Sequence, residues 1–384
     1  MKLSELLKTV VDNNAIDLFL IPHSPPMMRE KNDIVPIVDT PLSALEIQQV
    51  ADFMTTDEQK TEFEETLELN FAYQREGIGR FRVNIYKGHS GISMVCRIVK
   101  SDIPSIEDLV LPEVLKDLVM EERGLIFVVG ATGSGKSSTL AAMLDYRNQN
   151  QTGHILTVED PLEFIHEHRK SIVSQREVGI DTESYSNALK NVLRQSPDVI
   201  SIGEIRDTDT MTSALHYAET GHLLLSTLHA VNSSQALERI INFYPNEFRD
   251  NILMELSVNL KAIISQRLLP KADGTGLIAA VGVLRDTPRI KDLVAKGEID
   301  EISTELGKRN REGVLSIDQA IFNLYEQGFV TADVALHFAD KPNNMEIKIR
   351  QLENTMRQRE EASKIRQPRP GDRRPEYRVP LNER

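Results

Sequence analysis

The stretch Gly130-Ala131-Thr132-Gly133-Ser134-Gly135-Lys136-Ser137 limits what this chain can fold into more than any other part of it. It follows the apolar run Leu125 to Val129, which reads as a buried strand, and it opens a helical stretch from Ser138 to Arg147. A strand that passes through a glycine-rich turn into a helix is a unit of parallel α/β sheets. The glycines let successive backbone N–H groups wrap an anion. Gly130, Thr132, Gly133, Ser134, Gly135, Lys136, Ser137 and Ser138 are therefore candidate binding residues for a nucleoside triphosphate. Lys136 would neutralise the β and γ oxygens and the Ser137 hydroxyl would ligate magnesium, so the cofactors expected are ATP and Mg2+.

The sequence around this motif repeats the strand–helix alternation. Short β-rich runs at Ile155 to Val158, Val199 to Ile202 and Leu223 to Thr227 alternate with helical stretches, predicting a doubly wound parallel sheet over 113–285. Ahead of it, Leu3, Leu6, Leu7, Val10 and Val11 are spaced as one buried helix face. Strand-like segments at Asp17 to Ile21, Phe81 to Tyr86 and Ser93 to Val99, with a helical pattern from Ser43 to about Met54, complete an α+β domain over 1–100. Residues 101–112, beginning Ser101-Asp102-Ile103-Pro104-Ser105, read as a linker, 286–350 as a helical region, and the basic, proline-rich 351–384 as a disordered tail.

Several classes of protein are disfavoured. With 384 residues the chain has room for two or three domains. The run Leu125 to Val129 falls far short of the roughly 20 residues of a membrane span, so no integral membrane segment is expected. The N-terminus lacks the basic patch and apolar core of an export signal. A single cysteine, Cys96, excludes an internal disulfide and fits a reducing cytoplasm. A net charge of −13 argues against nucleic acid as a partner.

Further candidates lie where strands of the sheet end. Ile155 to Val158 runs into Glu159-Asp160-Pro161-Leu162-Glu163, which places Glu159 and Glu163 on the ligand side of the sheet. Both could order magnesium-bound water, or be simple turn acids beside Pro161. Asp198 to Ile202 ends in Gly203-Glu204, and Glu204 is the candidate general base beside the γ-phosphate. Ser137, Glu159 and Glu204 form the candidate metal set. His222 and His229 bracket a third strand; His229, at the carboxyl end, reads as a γ-phosphate sensor, and His222 is a weaker nucleotide-binding candidate. In the first domain Arg80 and Arg82 alternate with Phe81 and Val83, as Arg97 does with Cys96 and Ile98. These arginines either form a solvated face or donate positive charge to a neighbouring subunit's nucleotide.

With these residues in view, the chain resembles the type IV pilus retraction ATPases of the secretion-ATPase family, over roughly residues 1 to 340. The resemblance rests on the loop at 130–137, the acidic box Ile155 to Phe164, the stretch ending Gly203-Glu204-Ile205-Arg206-Asp207 and the histidine box Gly221 to His229. It implies a PAS-like N-terminal domain, a RecA-like ATPase domain and a cytoplasmic homohexamer at the inner membrane, acting on a platform protein at the pilus base. Assembly-type relatives carry a zinc-binding cysteine cluster and an added N-terminal domain, which are not found here, and this favours retraction. Thr287-Pro288-Arg289-Ile290-Lys291-Asp292-Leu293-Val294-Ala295-Lys296 departs from the Ala-Ile-Arg-Asn-Leu-Ile-Arg-Glu stretch of the principal branch. With the long tail, it points to the accessory, PilU-like branch working beside a PilT-like ATPase. The same motifs permit a type II secretion or DNA-uptake ATPase, or a ring subunit that binds ATP only to regulate a partner.

Overall fold

The computed structural model describes residues 2–31, 33–307 and 314–365. Its N-terminal part contains α1 (Leu3–Asp12), β1 (Asp17–Leu20), β2 (Met27–Glu30), β3 (Asp33–Pro36), α2 (Ala44–Met54), α3 (Asp57–Thr66), β4 (Glu68–Arg75), β5 (Gly79–Gly88) and β6 (Gly91–Val99). The strands form one antiparallel sheet in the order β3-β2-β1-β6-β5-β4. Alternation along β5 turns Phe81, Val83 and Ile85 into a core shared with Leu7 and Val10 of α1 and Ile47 of α2. Arg80, Arg82 and Asn84 are left on the opposite face.

Not all of this half was expected. α3 buries no residue, so it carries no apolar period to read. It is held by its start, where the Gln59 amide N–H donates to Thr56 Oγ1 at 3.3 Å and Thr56 N–H to Gln59 Oε1 at 3.0 Å. The edge strand β4 was also missed, although Leu69, Phe71 and Tyr73 alternate along it and pack in the core.

The second part begins with α4 (Val114–Val119), β7 (Gly124–Val129), α5 (Lys136–Asn150), β8 (Gly153–Glu159), β9 (Ser171–Glu177), α6 (Tyr185–Lys190), β10 (Val199–Ile202) and α7 (Thr208–Glu219). It continues through β11 (Leu223–Leu228), α8 (Ser233–Asn242), α9 (Arg249–Asn259), β12 (Leu260–Pro270) and β13 (Leu277–Arg285). The sheet order is β13-β12-β7-β11-β10-β8-β9. Leu125, Phe127 and Val129 pack with α7, α8 and α9 on one face, and Ile126 and Val128 with α4 and α5 on the other. The sheet is not wholly parallel as expected, because β13 runs antiparallel to β12. The tight turn closed by Lys271 N–H to Gly276 O at 3.0 Å can only join antiparallel neighbours. The linker is also shorter than 101–112: Ile106 and Leu111 are buried in the core beside α4 and α5.

Beyond the sheet lie α10 (Pro288–Ala295), α11 (Ile299–Leu306), α12 (Ile317–Glu326), α13 (Ala332–Phe338) and α14 (Pro342–Ile365). α14 corrects the expectation of a disordered chain from 351. Its buried Met345 and Ile349 dock on α12, and good helix formers carry the helix on to Ile365. Residues 366–384 lie outside the described residues. Deleting 357–384 should leave the melting temperature within about 2 °C of wild type, whereas deleting 342–384 removes both anchors and should cost roughly 3–6 kcal/mol, checked by denaturant unfolding. No helix among the described residues is long and apolar enough to cross a membrane.

Candidate active site

In a parallel sheet the carboxyl ends of neighbouring strands converge on one edge. Here β7, β8, β10 and β11 deliver Lys136, Ser137, Glu159, Glu163, Glu204 and His229 to one cavity of about 240 Å³, which Thr132, Gly133 and Arg206 also line. Ser138 lies half-buried on the first turn of α5.

The phosphate loop requires its glycines for two reasons. Gly133 and Gly135 sit at φ +77° and +85°, the left-handed region. A Cβ on Gly130 would come within 2.4 Å of Ser134 Oγ and 2.5 Å of the Gln266 carbonyl oxygen. Lys136 Nζ donates to the Gly130 and Ala131 carbonyls, both at 3.0 Å, so the ammonium is folded back onto its own loop. Burial pulls its pKa down, against the opposing pull of Glu204 and Glu163. Beneath the loop, buried Gln266 of β12 donates from Nε2 to the Ser134 carbonyl at 2.8 Å and accepts from Thr139 Oγ1 at 2.7 Å. Sequence reading missed Gln266, since an isolated polar residue 132 positions from its partner leaves no local pattern.

The two central carboxylates have different surroundings. Glu204 Oε2 accepts from Arg206 Nε at 2.8 Å, while Oε1 lies 3.1 Å from His229 Nε2, is buried, and takes no aligned hydrogen bond. Glu204 thus has one oxygen held by Arg206 and the other turned to the His229 ring at the cavity wall. Glu159 accepts from Thr157 Oγ1 at 2.7 Å, but burial dominates and pushes its pKa up to about 7. Gly203 is a glycine because a Cβ there would meet Tyr185 Oη at 2.9 Å and Glu159 Cα at 3.2 Å.

Glu159 yields a pH signature. A carboxyl whose folded pKa lies above its unfolded value of 4.5 makes the native state bind more protons between pH 4.5 and 7. Its contribution to stability is therefore largest below pH 4.5 and declines as pH rises to 7, by up to roughly 3 kcal/mol. In magnesium-free buffer, Glu159→Gln should flatten the stability profile between pH 5 and 7. Equal slopes in the two proteins would remove Glu159 as the cause.

Four sequence candidates lie outside the lining of the cavity. His222 precedes β11, at the amino end of a strand that runs parallel to β7, so the length of the sheet, on the order of 20 Å, separates it from the phosphate loop. Its Nδ1 faces the Tyr217 carbonyl and Thr220 Oγ1, both at 3.2 Å. Arg97 donates to buried Asp17 of its own chain through Nε at 2.7 Å and Nη2 at 3.2 Å. Arg80 and Arg82 lie on the outer face of their sheet, Arg82 the more exposed of the two. They meet Glu177 at the end of β9 in the same chain, Arg82 at 3.2 Å and Arg80 at 3.7 Å, with Asp181 3.6 Å from Arg80. Glu177 is paired in register with Glu159, so both arginines flank their own chain's cavity.

A largely parallel sheet whose phosphate loop, strand-end acids and histidine close on one cavity defines a P-loop ATPase. The chain matches the family described as Type II/IV secretion system protein over residues 31–314, and it belongs to that family. It is 46% identical over 350 residues to the type IV pilus ATPase PilU of Pseudomonas aeruginosa, covering 91% of this chain and 92% of that protein. It is 38% identical to the type IV pilus retraction ATPase PilT of the same organism, covering 90% and 100%. The fold overlays a crystal structure of the pilus retraction motor PilT with bound ADP at a TM-score of 0.83, with 35% identity and coverage of 90% and 99%.

Proposed function

We propose that this chain is a motor ATPase of type IV pilus retraction, of the accessory type, working as a homohexamer with ATP and Mg2+ on the cytoplasmic face of the inner membrane. One observation carries the hydrolytic part of this reading: the buried, unbonded Oε1 of Glu204 shares a cavity with Lys136 and Ser137. That donor set suits a magnesium nucleotide, whose metal takes one hydroxyl from the loop and its remaining ligands from phosphates and water. Ser137 would hold the ion, with Glu159 and Glu204 on its water shell, and the metal would supply neutralisation of charge on the phosphates.

The residues of this chain would do the rest. Lys136 exchanges its two loop carbonyls for phosphate oxygens. Arg206 fixes one oxygen of Glu204 so that the other can accept a proton from the attacking water, and His229, within 3.1 Å, senses the charge of that carboxylate. The greater identity with PilU than with PilT supports the accessory role, beside a PilT-like partner and a platform protein. Retraction imaged in a clean deletion, complemented by wild type and by Lys136→Ala, tests the reading. Rescue by wild type alone is expected; equal rescue by both would defeat it.

A further inference from the structure

β12 carries two adjacent residues, Gln266 and Arg267, whose side chains leave opposite faces of the strand. Gln266 is 2% exposed, and a buried amide must find partners. Both of its partners belong to the phosphate loop and its helix: the Ser134 carbonyl and Thr139 Oγ1. Arg267 faces the helical region, donating from Nη1 to the Phe338 carbonyl and from Nη2 to Asp340. Asp340 begins the turn into α14, and that turn is fastened to α12 by Asp318, which accepts from the Asp340 N–H at 2.6 Å and the Lys341 N–H at 3.1 Å.

The loop end of this connection has to rearrange. Lys136 must give up the Gly130 and Ala131 carbonyls to meet a phosphate. The Ser134 hydroxyl, buried without a hydrogen bond, is a group that a changed loop can satisfy. Any movement of the Ser134 carbonyl acts on Gln266, and a single peptide unit, about 3.8 Å between Cα atoms, separates Gln266 from Arg267. Packed side chains transmit such shifts because interiors are dense and compress little.

We propose that Gln266 and Arg267 are positioning residues that couple occupancy of the phosphate loop to the seating of α14, making this helix the reporter of nucleotide state on the far side of the sheet. The proposal requires nucleotide binding at the loop and is independent of any role in pili.

Hydrogen exchange of residues 342–359 in the full-length protein, with and without a non-hydrolysable ATP analogue and magnesium, tests it. Wild type should change its exchange rate at least threefold on adding the analogue. Arg267→Met should lose that response while its Kd for the analogue stays within threefold of wild type, and Arg267→Lys should restore part of it. Gln266→Met should lose the response and bind the analogue about tenfold more weakly. A merely structural Arg267 would raise exchange equally in both states and leave the nucleotide-dependent difference intact. A wild-type α14 indifferent to the analogue, or an Arg267→Met protein with an undiminished response, overturns the proposal. If Arg267→Met leaves α14 exchanging too fast to compare, Asp340→Asn removes the charge partner and spares the Phe338 contact. An undiminished response in that variant overturns the proposal too.

Discussion

Lys136→Ala protein should release no phosphate above background and should bind ATP at least tenfold more weakly than wild type. Lys136 is the only side-chain cation within the phosphate loop, and its Nζ already lies inside the cradle, 3.0 Å from the carbonyls of Gly130 and Ala131. Arg206, the other cation lining the cavity, is engaged with Glu204 and cannot replace it. Because the lysine is partly buried and makes hydrogen bonds only to loop carbonyls, its removal should leave the fold intact. Unchanged circular dichroism alongside lost turnover is the expected pair of results. Wild-type turnover would mean that hydrolysis occurs elsewhere in the chain.

Glu204→Gln should bind ATP normally and slow hydrolysis by about 10²-fold or more, the range for a lost general base. The amide retains the size of the side chain and can still accept from Arg206 Nε, but its Nε2 or Oε1 cannot take a proton from water at neutral pH. Single-turnover phosphate release with the variant saturated in ATP isolates this step from binding. A rate within threefold of wild type would transfer the role to Glu159, whose pKa near 7 already suits it to proton transfer, or to Glu163.

The phosphate loop was legible because its chemistry needs fixed residue types at consecutive positions, and glycines such as Gly133 and Gly135 have a steric reason visible in one dimension. Glu204, Glu159 and His229 were legible because each closes an apolar run, and the ends of parallel strands meet. His222 misled because the same run has two ends, and only the direction of β11 in the sheet says which one faces the nucleotide. Arg80, Arg82 and Arg97 were correctly read as leaving the core of their sheet, but their partners Glu177 and Asp17 lie 80 or more positions away along the chain. Pairings at that distance leave no periodic trace. The same holds for Gln266; in β9 the polar run Ser174 to Glu177 hides the strand, whereas β4 was overlooked although Leu69, Phe71 and Tyr73 alternate along it.

Cys96 is the sole cysteine of the chain and sits in the core of the first sheet, where desolvation pushes its thiol up to about 12. Burial thus both keeps the thiol protonated at neutral pH and shields it from reagents. Cysteines introduced on exposed positions of the two sheets can therefore be labelled with a fluorophore pair while the native thiol stays silent. The separation of the arginine face of β5 from the end of β9 could then be followed as a distance through every stage of a turnover.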